Sequence, residues 1–266
     1  MTKELEGQVA LVTGGTLNIG QAAATRLAQA GATAVINGRN EEQGLETVDL
    51  IRREAGSEAF FENADLLVPS AVEAMVDRVV ARHGQLDILV ASGAGASPDS
   101  LPFKFFHEME VDDFDTYIRS HWLSRVYAIR AVLPQMRLQN GGKIINVTTD
   151  AGREPTVGES FIGGAAAGLM QMSKVLAREF GRWGIRVNNV SVSVVPDAPV
   201  RWPRENAEKE GEKGPESGVG PRLRSRMMFD VSRWQIADMV VHFATGGGDA
   251  ITGQTVSVNG GISFPG

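Results

Sequence analysis

Val9-Ala10-Leu11-Val12-Thr13-Gly14-Gly15-Thr16-Leu17-Asn18-Ile19-Gly20 is the stretch that decides the fold. An apolar run over residues 8–13 ends in two glycines, and Ala and Leu then recur at helical spacing over residues 20–30 before Gly31. A buried strand passing through a glycine turn into a helix starts a parallel sheet. The turn has the spacing Gly-x-x-x-Gly-x-Gly, with Asn18 at the middle position between Gly14 and Gly20. Glycines there let main chain approach a pyrophosphate, and the helix start offers free N–H groups and a positive dipole end. Asn is the side chain that best tolerates the positive φ such a position asks for.

Outward from this turn, strand and helix signals alternate. Thr33 to Ile36 reads as a second strand, residues 41–54 as a charged helix and Ala59-Phe60-Phe61 as a third strand ending near Asp65. A helix over 70–83 carries Val72, Met75, Val76, Val79 and Val80, and Leu86-Asp87-Ile88-Leu89-Val90 is a buried strand. Residues 112–138 read as one long helix, Lys143 to Thr148 as a strand, and 160–182 as a helix with a small-residue face, Gly163-Gly164-Ala165-Ala166-Ala167-Gly168. Ile185 to Val190 and Val256 to Val258 close the series. Strands alternating with helices of this length imply parallel β with right-handed crossovers. The fold class expected is α/β, a single doubly wound domain over residues 1–266 with about seven parallel strands flanked by helices. Residues 197–228 break the rhythm with a Glu-, Lys-, Gly- and Pro-rich run, and an irregular loop of that length is expected to act as a mobile lid.

Composition narrows the function classes. Of 266 residues, 42% are hydrophobic and 22% charged, which suits a packed globular core. A net charge of −6 argues against nucleic acid as a partner. The absence of cysteine removes disulfides, thiolate metal sites and Cys nucleophiles, and no His spacing or carboxylate cluster suggests a metal. No 18-residue apolar run suggests a membrane span, and the charged Met1 to Glu6 segment lacks the apolar centre of a signal peptide, so the expected location is cytoplasmic.

The glycine turn, Gly184-Ile185-Arg186-Val187-Asn188, and Ile251-Thr252-Gly253-Gln254 with Gly260-Gly261 together resemble the short-chain dehydrogenase/reductase family, over residues 6–262. The resemblance implies a Rossmann-type fold, an oxidoreductase acting on a carbonyl or alcohol, and a nicotinamide cofactor. The residues it puts forward as cofactor-binding are Gly14, Thr16, Asn18, Ile19 and Gly20 in the first turn and Arg39 after the second strand. Asp65 and Leu66 after the third strand and Ala91 and Gly93 after the fourth complete the set. Asn37-Gly38-Arg39-Asn40 has no acid to hold a ribose 2′-hydroxyl, whereas Arg39 suits a 2′-phosphate, which favours NADP over NAD. Leu17, where NADP-binding relatives often carry a second base, counts the other way, and a chain that binds neither cofactor stays open.

The same anchors locate the reaction centre and show what it lacks. The family's Tyr-x-x-x-Lys falls on Ile162 and Ala166, or, shifted by one residue, on Phe161 and Ala165. Its Ser position falls on Thr149, its helix Asn on His121, and its Pro-Gly near Val192-Ser193. In the family the Tyr moves the substrate proton and the Lys lowers its pKa and holds the nicotinamide ribose. General acid catalysis contributes typically about 10²–10⁴-fold, so the family's route is expected to be crippled here. Thr149, His121 and Asp150 are the residues that offer acid/base chemistry in its place, and Glu159-Ser160 lie just before Ile162.

Three functions stay open on this reading: an oxidoreductase with a non-standard site; a hydrolase, lyase or isomerase working at Thr149, His121 and Asp150; and a catalytically silent binding protein. The small-molecule substrate is expected to be anionic if Arg201, Arg204, Arg222, Arg224 and Arg226 act together, with Trp202 and Phe229 as apolar walls. The helices 112–138 and 160–182 are expected to pair in a homodimer or homotetramer, as they do in the family.

Overall fold

The computed structural model describes residues 3–94, 104–198 and 224–264. Its centre is a sheet of seven parallel strands in the order β3-β2-β1-β4-β5-β6-β7. These strands are β1 (Val9–Thr13), β2 (Thr33–Gly38), β3 (Ala59–Asn63), β4 (Ile88–Ala91), β5 (Gly142–Thr149), β6 (Ile185–Val192) and β7 (Thr255–Val258). The helices are α1 (Asn18–Gln29), α2 (Glu41–Ala55), α3 (Pro69–His83), α4 (Val111–Ile118), α5 (Ser124–Gln139), α6 (Ser160–Phe180) and α7 (Arg233–Ala244). The chain winds outward from β1 to β3, then returns to place β4 on the other side of β1. That reversal opens a crevice at the carboxyl ends of β1 and β4, where doubly wound sheets bind ligands.

The period-2 alternation of the strands sorts the core into two layers. Ala10, Val12, Ile88, Val90, Ile145 and Val147 point to one face and pack with α1, α2 and α7. Val9, Leu11, Leu89, Ala91 and Ile144 point to the other and pack with α3, α5 and α6. Both faces of each central strand are covered, which is why the strands read as continuous apolar runs.

Three features differ from the sequence reading. Residues 112–138 are not one regular helix: α4 and α5 are joined by a single π-helical turn, Arg119–Leu123, with His121 at its centre. Such turns insert one extra residue into a helix and re-aim the side chains on it. The first helix starts at Asn18, two residues earlier than its apolar spacing indicates, so Leu17 is its N-cap. Helix α7 follows the irregular stretch and was not read from the sequence; Ser232 caps it, accepting from Gln235 N at 3.3 Å, while Gln235 Oε1 accepts from Ser232 N at 2.8 Å. Of the lid expected over 197–228, residues 199–223 lie outside the described residues, and Arg201, Trp202, Arg204 and Arg222 with them.

Candidate active site

The first turn is built around close main-chain contact. Gly14 has a φ of +63°, and a Cβ on it would collide with Gly93 across the crevice. A Cβ on Gly93 would meet Leu66 Cδ1 at 2.7 Å and Gly14 N at 2.9 Å, and one on Gly20 would collide with Gly14 O. The strand ends β1 and β4 are tied together by Thr13, whose Oγ1 accepts from Gly93 N at 3.4 Å. Ala91, fully buried, ends β4 beneath this contact. Only residues without a Cβ allow the two strand ends and the helix start to meet here.

The helix start is left open. Leu17 at the N-cap is 50% exposed and offers no side-chain bond, and α1 has no acid in its first turn. The first of its amides to find a main-chain partner is Gln21, bonded to Leu17 O at 3.0 Å. The N–H groups of Asn18, Ile19 and Gly20 therefore stand without partners among the described residues, aligned with the positive end of the helix dipole. Asn18 takes a φ of +51°, and its Oδ1 is buried without a hydrogen bond. A half-turn of that amide puts a donor where the oxygen is. Beside the turn, Thr16 O accepts from Thr47 Oγ1 at 3.1 Å, and Arg39 is exposed with no partner for its guanidinium among the described residues. Asp65 uses one oxygen to accept from Leu67 N at 2.8 Å, and Leu66 is buried next to it. Open amides, an orphaned buried amide group and glycine-only contacts fit a dinucleotide pyrophosphate at this place.

Further along the same edge, a cavity of about 180 Å³ lies between β5, β6, α5 and α6. His121, Arg125, Thr149, Ile162 and Ala166 line it, together with Val192. The structure thus brings Thr149 and His121 to one cavity. Thr149 Oγ1 accepts from Ala151 N at 3.2 Å, which leaves its hydroxyl hydrogen free to donate. Burial, with the Arg125 guanidinium adding repulsion, pulls His121 down from 6.5 to about 4. Its imidazole is neutral at physiological pH. Neither tyrosine of the chain, Tyr117 or Tyr127, lines the cavity.

Asp150 does not join them. Its carboxylate is 3% exposed and is engaged in four hydrogen bonds. Oδ1 accepts from Ser191 Oγ at 2.7 Å, Ser257 Oγ at 2.6 Å and Arg153 Nη2 at 3.3 Å, and Oδ2 accepts from Asn259 Nδ2 at 2.7 Å. Arg153 comes from the turn after β5 and the other three from β6, β7 and the segment after β7, so Asp150 closes the sheet edge instead of orienting His121. An acid/base cluster of Thr149, His121 and Asp150 is not formed.

Arg125 was not identified from the sequence. A signal was present: His121, Arg125, Ala128, Val132 and Met136 recur at three- and four-residue spacing, which places Arg125 on the buried face of α5. Glu159, just before α6, lines a second cavity of about 310 Å³ with Thr156 and Ser160, and burial lifts its carboxyl to about 7. The small face of α6 is partly used within the chain: a Cβ on Gly163 would meet Ala151 O at 2.6 Å, and one on Gly168 would meet Trp122 at 3.2 Å. Arg224 and Arg226 have acidic neighbours, Asp230 at 3.8 Å and Glu154 at 3.2 Å. Among the described residues no group of three or more His, Asp or Glu could hold a metal ion, and no helix is long and apolar enough to cross a membrane.

Comparison with known proteins gives a consistent picture. The sequence pattern described as short chain dehydrogenase matches residues 8–209. The short chain dehydrogenase/reductase astE of Aspergillus oryzae is 31% identical over 262 residues, covering 98% of this chain and 96% of its own length. The 3-oxoacyl-[acyl-carrier-protein] reductase FabG of Chlamydia muridarum is 29% identical, covering 99% of this chain and all of its own. Among solved structures, a short chain dehydrogenase from Burkholderia cenocepacia in complex with NADP superposes with a TM-score of 0.82 at 28% identity, covering 97% of this chain and 99% of that one.

Proposed function

The chain belongs to the short chain dehydrogenase family, and from that membership we propose that it is an oxidoreductase holding NADP(H), in preference to NAD(H), across the crevice between β1 and β4. In this reading it acts on a carbonyl or alcohol substrate at a centre without the family's phenol and ammonium groups. The observation that carries the reading is the row of open N–H groups on Asn18, Ile19 and Gly20, set against a crevice that only glycine can line. Arg39, exposed and unpaired among the described residues, supports the choice of a cofactor with a 2′-phosphate. The solved relative in complex with NADP points the same way.

When bound, the nicotinamide supplies or accepts the hydride. The rest falls to the chain. Thr149 donates its hydroxyl hydrogen to the carbonyl oxygen and so orients the reacting carbon. Ile162 and Ala166 give an apolar wall in place of titrating groups. The neutral His121 ring offers one donor and one acceptor through which a proton from solvent reaches that oxygen. Such a centre relies on placement more than on acid strength, and slow turnover is its expected signature. Cofactor-free hydrolysis or isomerisation at Thr149, His121 and Asp150 is disfavoured, because the carboxylate it needs is committed elsewhere.

The test is isotope transfer. The protein is incubated with NADPH deuterated at the transferable position and a panel of aldehydes and ketones, and the alcohols are analysed by mass spectrometry. Deuterium on the carbinol carbon supports the reading. Substrate conversion that needs no cofactor, with no deuterium incorporated, overturns it.

A further inference from the structure

The partly buried arginines Arg153 and Arg186 both meet a carboxylate, Asp150 at 3.3 Å and Asp249 at 2.7 Å. Arg125 is only 8% exposed and has no carboxylate partner among the described residues. Its Nε and Nη2 both donate to Val147 O at 3.2 Å, and Nη1 donates to His121 O at 3.0 Å. A guanidinium carries five N–H donors, so two remain beyond these three bonds. Burial lowers its pKa only to about 10, which leaves it charged at neutral pH. A buried cation facing two neutral carbonyls is costly unless an anion completes it.

The place for that anion is the adjoining cavity. Arg125 lines it together with Ala166, and among the described residues no acidic side chain does. Thr149 provides the hydroxyl donor, and Ile162 and Val192 are apolar. The volume, about 180 Å³, has room for about six water-sized groups.

We propose that Arg125 makes this cavity a carboxylate site, so that the substrate is a short carbonyl compound bearing a carboxylate. The carboxylate pairs with the two remaining guanidinium N–H groups while the carbonyl oxygen takes the Thr149 hydroxyl. This names the substrate class of the proposed oxidoreductase and rests on that reading for the reaction, though the anion site itself needs no cofactor. A planar fork suits a carboxylate better than a point charge does, which explains why an arginine stands here.

The experiment compares ligands that differ only in charge. Thermal unfolding of the cofactor-free, full-length protein is followed with pyruvate and 2-oxobutyrate, and with the neutral pyruvamide and butanone. The carboxylates are expected to raise the melting temperature and the neutral analogues to leave it unchanged. R125M is expected to weaken the carboxylate response about ten- to hundredfold, and R125K to retain part of it. Equal protection by acid and amide overturns the inference, even if neither variant folds. A carboxylate response that survives in folded R125M also overturns it. The two readings separate cleanly: NADPH binding without discrimination between acid and amide defeats only this inference. Discrimination without NADPH binding defeats only the assignment as a nicotinamide enzyme.

Discussion

Asp150 Oδ2 accepts a hydrogen bond from Asn259 Nδ2 at 2.7 Å, joining the end of β5 to the segment after β7 across 109 residues. Ser191, Ser257 and Arg153 fill the other oxygen of the same carboxylate. D150A removes the acceptor from four donors, at least two of them buried, and is expected to cost about 3 kcal/mol. Urea unfolding measures it. A catalytic role for Asp150 would instead show as lost activity at unchanged stability.

The region around the cavity holds two groups that titrate in opposite senses. Burial, reinforced by Arg125, lowers His121 from 6.5 to about 4. The folded protein thus binds fewer protons there than the unfolded chain, and the stability this group supplies, complete above pH 6.5, is lost as pH falls through about 4. Burial raises Glu159 from 4.5 to about 7, so its contribution is complete below pH 4.5 and is lost as pH rises through about 7. Over the shared window the two slopes oppose. E159Q removes the falling one, and its stability is expected to gain about 2–3 kcal/mol on the wild type between pH 4.5 and 7. Parallel curves for E159Q and wild type in urea titrations would contradict the burial assigned to Glu159.

Arg39 sits just past β2 with its guanidinium unpaired among the described residues. R39A is expected to weaken NADPH binding about ten- to hundredfold through loss of a charge-assisted contact, and to leave NADH affinity unchanged. Fluorescence titration with the two cofactors reads the difference. Equal loss for both would mean that Arg39 acts on the turn and not on a 2′-phosphate.

Gly20 tests the turn itself. A Cβ there would collide with the Gly14 carbonyl, which is main chain and has no rotamer to escape into. G20A is expected to move the start of α1 and to abolish NADPH binding while the far side of the sheet stays folded, as slow amide exchange in β5 and β6 would report. Undiminished binding by G20A would show that the crevice tolerates more than the contacts at Gly14 imply.

The framework was legible because its signals are local. Period-2 apolar strands such as Val9–Thr13, and the Gly14, Asn18 and Gly20 spacing, mark the sheet and its crevice without any tertiary knowledge, and Asn18 indeed has the positive φ its position asks for. The site was legible in part. Thr149 and His121 meet because each sits at the end or bend of an element whose place the fold sets. Asp150 looked available because three of the four residues that engage it lie 41, 107 and 109 positions further along the chain. Arg125 escaped because a charged residue at a buried helical spacing is easily read as part of a solvated face. The π-helical turn at His121 left no local mark at all, since it adds one residue to a helix without changing its composition. Helix α7 did leave one, the Ser232-Arg233-Trp234-Gln235 capping box.

The proposed function requires a working nucleotide seat beside a centre whose facing helix presents Ile162 and Ala166. Titration of NADPH into the wild-type protein, followed by the change in cofactor emission, measures whether that seat works. Saturable binding is expected, with a Kd on the order of micromolar and tighter than for NADH. A folded protein that shows no saturation by either cofactor up to millimolar concentration would contradict it.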